Sequence, residues 1–186
     1  MSLDRRDALA GMAAMFGTAL FAPIARAAAA QAAPSIDGPP SVAVFTDPQR
    51  ALVSALSERV MPTTDTPGAI AAGVPAFIEK LLADWAAPGE RKIIVAGLET
   101  IEARSQADYK LPADKASPEQ HDALLMLAME NKLQNGSEFF EKFRQMVLTG
   151  YFTSEVGITQ EREYLPVPGR YDGAFPFSQV NKVYSS

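Results

Sequence analysis

Apolar residues recur at three- and four-residue spacing in five stretches of the chain, and each stretch predicts an amphipathic helix. The first follows Thr46-Asp47-Pro48, a helix start with Asp47 as N-cap and Pro48 in the first turn. Leu52, Val53, Leu56 and Val60 mark its apolar face, and Pro62 ends it because proline has no N–H and clashes with the preceding turn. The second opens at Pro75 and carries Phe77, Ile78, Leu81, Leu82 and Trp85, with Ala86-Ala87-Pro88-Gly89 as its stop. Trp85, the only tryptophan, falls on this stripe and is expected in the core rather than stacked on a ligand. A third helix over 90–105 presents Ile93, Ile94, Leu98 and Ile101, and a polar connection follows it. Ser117-Pro118-Glu119-Gln120 is a capping-box start for the fourth, whose Leu124, Leu125, Leu127, Ala128 and Met129 run to Asn135-Gly136. Ser137 caps the fifth, which bears Phe139, Phe140, Phe143, Met146 and Val147 and breaks at Gly150. No sustained period-two alternation and no strand–helix–strand pattern appears. The fold class is therefore all-α: about five main helices in a compact bundle over 46–157, with an irregular C-terminal tail over 158–186.

The first two helices are joined by the stretch the chain is organised around, 59–75. Pro62, Pro67 and Pro75 fix its φ angles, while Gly68 and Gly73 supply permissive positions. Thr64, Asp65 and Thr66 carry oxygens suited to bonding nearby backbone N–H groups. Asp65 also has the chemistry of a metal ligand or an acid/base group, but a structural capping role is the expectation.

Both ends of the chain differ from its middle. Arg5-Arg6 stands ahead of a soft apolar run from Ala8 to Ile24, and Ala25-Arg26-Ala27 with the alanines after it supplies small-residue cleavage sites. That is an export signal over 1–30, and the arginine pair with Leu9 beyond it has the form of a twin-arginine (Tat) signal. Asp4 and Ala8 depart from that consensus, and a general secretory signal or an N-terminal anchor are the other readings. Residues 31–45, rich in alanine and proline, read as an extended linker. In the tail, Tyr164, Pro166, Val167, Pro168, Gly169 and Tyr171 form an aromatic unit that proline holds extended. Such rings bury themselves either on this chain's own helices or on a partner. The hypothesis carried forward is a partner surface, with Tyr151 and Phe152 bracing it from the last helix.

Composition removes most chemistries. A net charge of −5 argues against nucleic acid as a partner, which calls for a basic patch. The absence of cysteine excludes disulfides, thiolate metal sites, iron–sulfur clusters and covalent c-type haem. His121 is the sole histidine, cannot by itself build a usual metal site, and is expected on the solvated surface. No glycine-rich dinucleotide or phosphate fingerprint and no nucleophile elbow is present. Neither catalytic, cofactor-binding nor metal residues can be named, and the chain reads as an exported helical protein that binds another protein.

Three blocks give that reading a family. Leu56-Ser57-Glu58-Arg59-Val60-Met61-Pro62-Thr63-Thr64-Asp65-Thr66-Pro67-Gly68-Ala69, followed by Ala72-Gly73-Val74-Pro75-Ala76-Phe77-Ile78, resembles the gluconate 2-dehydrogenase subunit 3 family. Leu148-Thr149-Gly150-Tyr151-Phe152-Thr153-Ser154-Glu155-Val156-Gly157 and Tyr164-Leu165-Pro166-Val167-Pro168-Gly169-Arg170-Tyr171-Asp172-Gly173 resemble it in the same order. The resemblance implies a small subunit, without a cofactor of its own, of a membrane-associated sugar, sugar-acid or polyol dehydrogenase. It implies a large FAD-dependent partner of the glucose-methanol-choline type and a multihaem cytochrome c subunit as electron acceptor. It also implies a periplasmic location. In such a complex the small subunit's signal would engage the Tat translocase and carry the folded, FAD-loaded partner with it. A transient secretion chaperone and an independent exported enzyme are the alternatives.

Overall fold

The computed structural model describes residues 38–164 and 184–185. Five α-helices lie among them, as the apolar periodicity predicts: α1 (Asp47–Val60), α2 (Val74–Asp84), α3 (Pro88–Tyr109), α4 (Pro118–Met129) and α5 (Gly136–Phe152). A 3₁₀ turn, Ala113–Lys115, precedes α4, and a π-helical turn, Gly157–Glu161, follows α5. Two short strands, β1 (Glu163–Tyr164) and β2 (Tyr184–Ser185), pair in parallel. The expected export segment with Arg5 and Arg6, and the tail residues Pro166, Val167, Pro168, Gly169 and Tyr171, lie outside the described residues.

Helix starts follow local chemistry closely, with shifts of a residue or two. Thr46, not Asp47, is the N-cap of α1: its hydroxyl accepts from Gln49 N–H, while the Gln49 carboxamide accepts from Thr46 N–H. Ser117 and Gln120 build the same reciprocal pair at α4. Gly73, at φ 75°, is the left-handed residue from which α2 departs, so Pro75 occupies the second rather than the first helical position. Pro88 opens α3 instead of closing α2, and α3 continues to Tyr109, past the predicted end. Arg91 explains how α2 stops so close to α3: its guanidinium donates to the Leu82 and Ala83 carbonyls and satisfies the end of α2. At α5 the left-handed cap is Asn135, and Ser137 bonds Asn131 rather than capping the helix.

The last helix is the hub of the bundle. α5 packs against α1, α2, α3 and α4, and its Phe139, Phe143, Val147 and Tyr151 are all buried. The Phe139 and Phe143 rings stack with centroids 5.6 Å apart. Two glycines permit the close approaches this needs. A Cβ on Gly97 of α3 would overlap the Phe139 ring and lie 2.8 Å from Phe139 Cβ. One on Gly150 would lie 2.6 Å from Phe77 Cδ1 of α2. Gly150 thus stands inside α5 as a packing position, and the helix does not break there.

Other expectations are corrected. Trp85 is 51% exposed, because α2 ends at Asp84 and Trp85, as its C-cap, leaves the helical stripe. His121 is 4% exposed, with Nε2 2.7 Å from the Ala113 carbonyl oxygen, to which it donates. Glu102 accepts from Ala113 N–H at 2.7 Å, so the buried Ala113 that opens the 3₁₀ turn is held through both its N–H and its carbonyl. Phe45, assigned to the linker by its sequence, is in the core.

Candidate functional site

The loop between α1 and α2 is organised by one carboxylate and one hydroxyl. Glu58, in the last turn of α1, accepts through Oε1 from Thr63 N–H at 2.9 Å and from the Thr63 hydroxyl at 2.6 Å. Its Oε2 accepts from Ile70 N–H at 3.0 Å. The Thr63 oxygen in turn accepts from Gly68 N–H at 3.1 Å, and Ala69 N–H donates to the Met61 carbonyl. These bonds do for an irregular backbone what a ladder does for a helix. A side chain at Gly68 would collide with Glu58 Oε1 and sit 2.6 Å from Thr63 N, so glycine is required for the carboxylate to reach in. Burial opposes ionisation of Glu58, but the hydrogen bonds from Thr63 and Ile70 and the nearby Arg59 charge hold its carboxyl below the ordinary range.

The sequence pattern directed attention to the wrong oxygens in this loop. Thr64 and Asp65 are exposed and bond each other through Thr64 Oγ1 and Asp65 Oδ1 at 3.0 Å. The backbone donors go instead to Thr63 and Glu58. Among the described residues no group of three or more His, Asp or Glu side chains is placed to hold a metal ion.

The segment after α5 closes onto the loop. Tyr151 OH donates to the Pro67 carbonyl at 2.9 Å, and the Thr66 hydroxyl donates to Glu161 Oε2 at 2.9 Å. Ser154 ties the turn, donating to the Tyr151 carbonyl at 2.6 Å and accepting from Gly157 N–H at 3.1 Å. Tyr151 is 1% exposed, so its ring serves this chain's own core and loop rather than the partner surface expected of it. Phe152 is half-buried, edge-on to Tyr151 at 5.4 Å, with the Arg162 guanidinium 4.7 Å from its ring centroid. Of Tyr164 only the backbone, in β1, is described.

The first two of the three sequence blocks are therefore one object in space, a braced loop resting on the end of the central helix. A family model described as gluconate 2-dehydrogenase subunit 3 matches residues 47–169. The chain belongs to the gluconate 2-dehydrogenase subunit 3 family. The match begins on the first residue of α1 and takes in all five helices, the braced loop and β1. No curated protein and no solved structure matches the chain. As a family member the chain is a subunit of a dehydrogenase complex. No helix among the described residues is long and apolar enough to cross a membrane.

The domain's surface also holds a groove the sequence pattern did not single out. It measures about 300 Å³ between α1, α4 and α5 and is walled by Val60, Leu125, Met126, Met129 and Phe140. Met126 and Met129 are 50% and 44% exposed. Met129, counted with the apolar content of the fourth helix, ends α4 and is not among its buried residues.

Proposed function

We propose that this chain is the non-catalytic small subunit of a periplasmic, membrane-associated, FAD-dependent dehydrogenase acting on a sugar, sugar acid or polyol. The observation that carries the reading is the family match over the whole helical domain. The titratable side chains nearest the core support an accessory role, since each is already committed to architecture. Glu58 holds the loop, His121 holds the 3₁₀ turn and Glu79 accepts from Arg50. In this reading FAD resides on the large subunit, haem c on the cytochrome subunit, and substrate never meets this chain. The Arg5-Arg6 signal takes the folded flavoprotein through the Tat translocase, and the small subunit stays bound afterwards. Tyr164, Pro166, Val167, Pro168, Gly169 and Tyr171 dock on the flavoprotein beside Phe152, their extended backbone lowering the entropy lost on docking.

Co-expression with the large subunit tests the proposal. The active dehydrogenase is expected to purify with this chain in stoichiometric amount, while the chain alone shows neither flavin nor Soret absorbance after desalting. Replacing Arg5 and Arg6 together by lysine is expected to leave both proteins in the cytoplasm. A flavoprotein that reaches the periplasm unaided, or a chain that retains flavin by itself, would overturn the reading. Tyr171→Ala is expected to weaken assembly by about 2 kcal/mol, on the order of thirtyfold, without changing the melting temperature of the isolated chain. The reverse outcome would assign the ring to this chain's own core.

A further inference from the structure

Before α1 the chain runs as a strap over α2, and the hydrogen bonds that fasten it engage its backbone. Lys80 Nζ donates to the Pro39 carbonyl at 3.2 Å, and Ser41 N–H donates to Asp84 Oδ1 at 3.0 Å. Phe45 N–H donates to Glu79 Oε1 at 3.5 Å, and Arg50 Nη2 donates to the Phe45 carbonyl at 3.0 Å. The four side chains are themselves two ion pairs, Lys80–Asp84 at 2.8 Å and Arg50–Glu79 at 2.7 Å. The acidic members are nearly enclosed, with the Asp84 side chain 2% and the Glu79 side chain 8% exposed. Of the strap's side chains Phe45 alone is buried.

Apart from the Phe45 side chain, which packs in the core, the fastening bonds reach the strap's backbone and depend on the helices beneath it. Glu79, Lys80 and Asp84 come to one side of the chain only when α2 is helical, and Arg50 joins them only when α1 has packed on α2. In the unfolded chain the same charges are solvated and the strap has nothing to hold it. Ordering it costs backbone entropy, which charge-assisted hydrogen bonds and burial of Phe45 offset.

We propose that the strap is a fold-dependent clamp, so that the stretch of chain leading into α1 is fastened only once α1 and α2 have packed, and that export depends on this fastening. This rests on the export reading above. Before folding, the whole run from the signal to α1 is free chain, open to proteases and to any route that threads unfolded polypeptide. After folding, residues 39–45 are held against α2.

The test combines hydrogen exchange on the purified chain with fractionation of cells that make the full chain and its flavoprotein. Asp84→Ala removes the acceptor for Ser41 and the partner of Lys80. It is expected to speed amide exchange over 41–45 at least tenfold, leave α3, α4 and α5 at parental rates, and lower the exported fraction at least threefold. Asp108→Ala breaks an exposed pair with Arg104 on α3 and is expected to change neither readout. Should Asp84→Ala not fold, Lys80→Gln, which keeps the Ser41 acceptor but loses the ammonium, is read the same way. Parental strap amides that exchange as fast as free peptide would overturn the clamp. A released strap with undiminished export would overturn its role in export. A parental chain held entirely in the cytoplasm would instead overturn the export reading on which that role depends, and the exchange data would still decide the clamp.

Discussion

Glu58 shows how much one side chain can organise when the backbone around it has no ladder. Its three accepted bonds come from Thr63 and Ile70, so Glu58→Ala leaves two loop N–H groups without their partner. Because the loop is partly solvated, the expected cost is about 1–3 kcal/mol. That is a fall of roughly 3–10 °C in melting temperature for a domain of this size. Asp65→Ala, at an exposed residue, is expected to stay within about 0.5 kcal/mol. Equal effects in thermal melts of the two variants would show that the loop does not depend on the carboxylate. The block from Leu56 to Ala69 made the loop legible, but not Glu58. A carboxylate in the last turn of a helix reads as solvated, and its reach to Ile70 depends on the path of a loop that spacing alone cannot give. His121 was hidden for the same reason, since its partner is a carbonyl in a turn eight residues earlier.

At the level of elements, every helix was visible and several of their ends were not. Pro88 illustrates the ambiguity: proline suits the first turn of one helix as well as the position just past the end of another. Only the Arg91 contacts to the end of α2 resolve which role it takes. Glycine is ambiguous in the same way. Gly150 reads as a breaker from sequence, yet lies within α5 facing Phe77. Gly97 makes the point testable. In an isolated helix alanine is better than glycine by about 1 kcal/mol. Here a Cβ would overlap the Phe139 ring, so Gly97→Ala is expected to destabilise by about 1–3 kcal/mol instead. Chemical denaturation settles the sign, and a stabilised variant would mean that α3 and α5 are farther apart than described.

For the whole molecule, the ionic contacts set how stability depends on pH. Hydrogen bonds from Lys80 and Ser41 hold the Asp84 carboxyl down to about 2. Glu79 is lowered chiefly by its bond from Arg50, and Asp122 chiefly by its bond from Arg59. A carboxyl whose folded value is depressed binds its proton more readily in the unfolded chain. Its contribution is therefore present above the ordinary carboxylate range and is lost as pH falls through the folded value. The melting temperature is expected to be level from pH 7 to about 5 and to decline from there towards pH 2. Asp84→Asn should flatten the part of that decline between about 4 and 2. A melting temperature unchanged between pH 5 and pH 2.5 would mean these pairs do not form in solution. The bundle was legible at this scale because an apolar stripe must be buried whatever its neighbours. The ion pairs between helices were not, because Arg50 with Glu79 and Arg59 with Asp122 join residues far apart in sequence.

The position of the hub helix at the far end of the domain sets a clock during synthesis. α1 to α4 all pack against α5, so the core cannot close until Phe152 has been made. At roughly 5–20 residues per second, about 7–30 s separate the translation of Arg6 from that of Phe152. For that interval the earlier helices are nascent segments with bare apolar faces, and a chaperone that recognises such faces has the chain to itself. Whether the proposed export signal is first read on an open chain or on a finished bundle is then a contest between capture and elongation, and slowing the ribosome over α5 would tilt it towards capture.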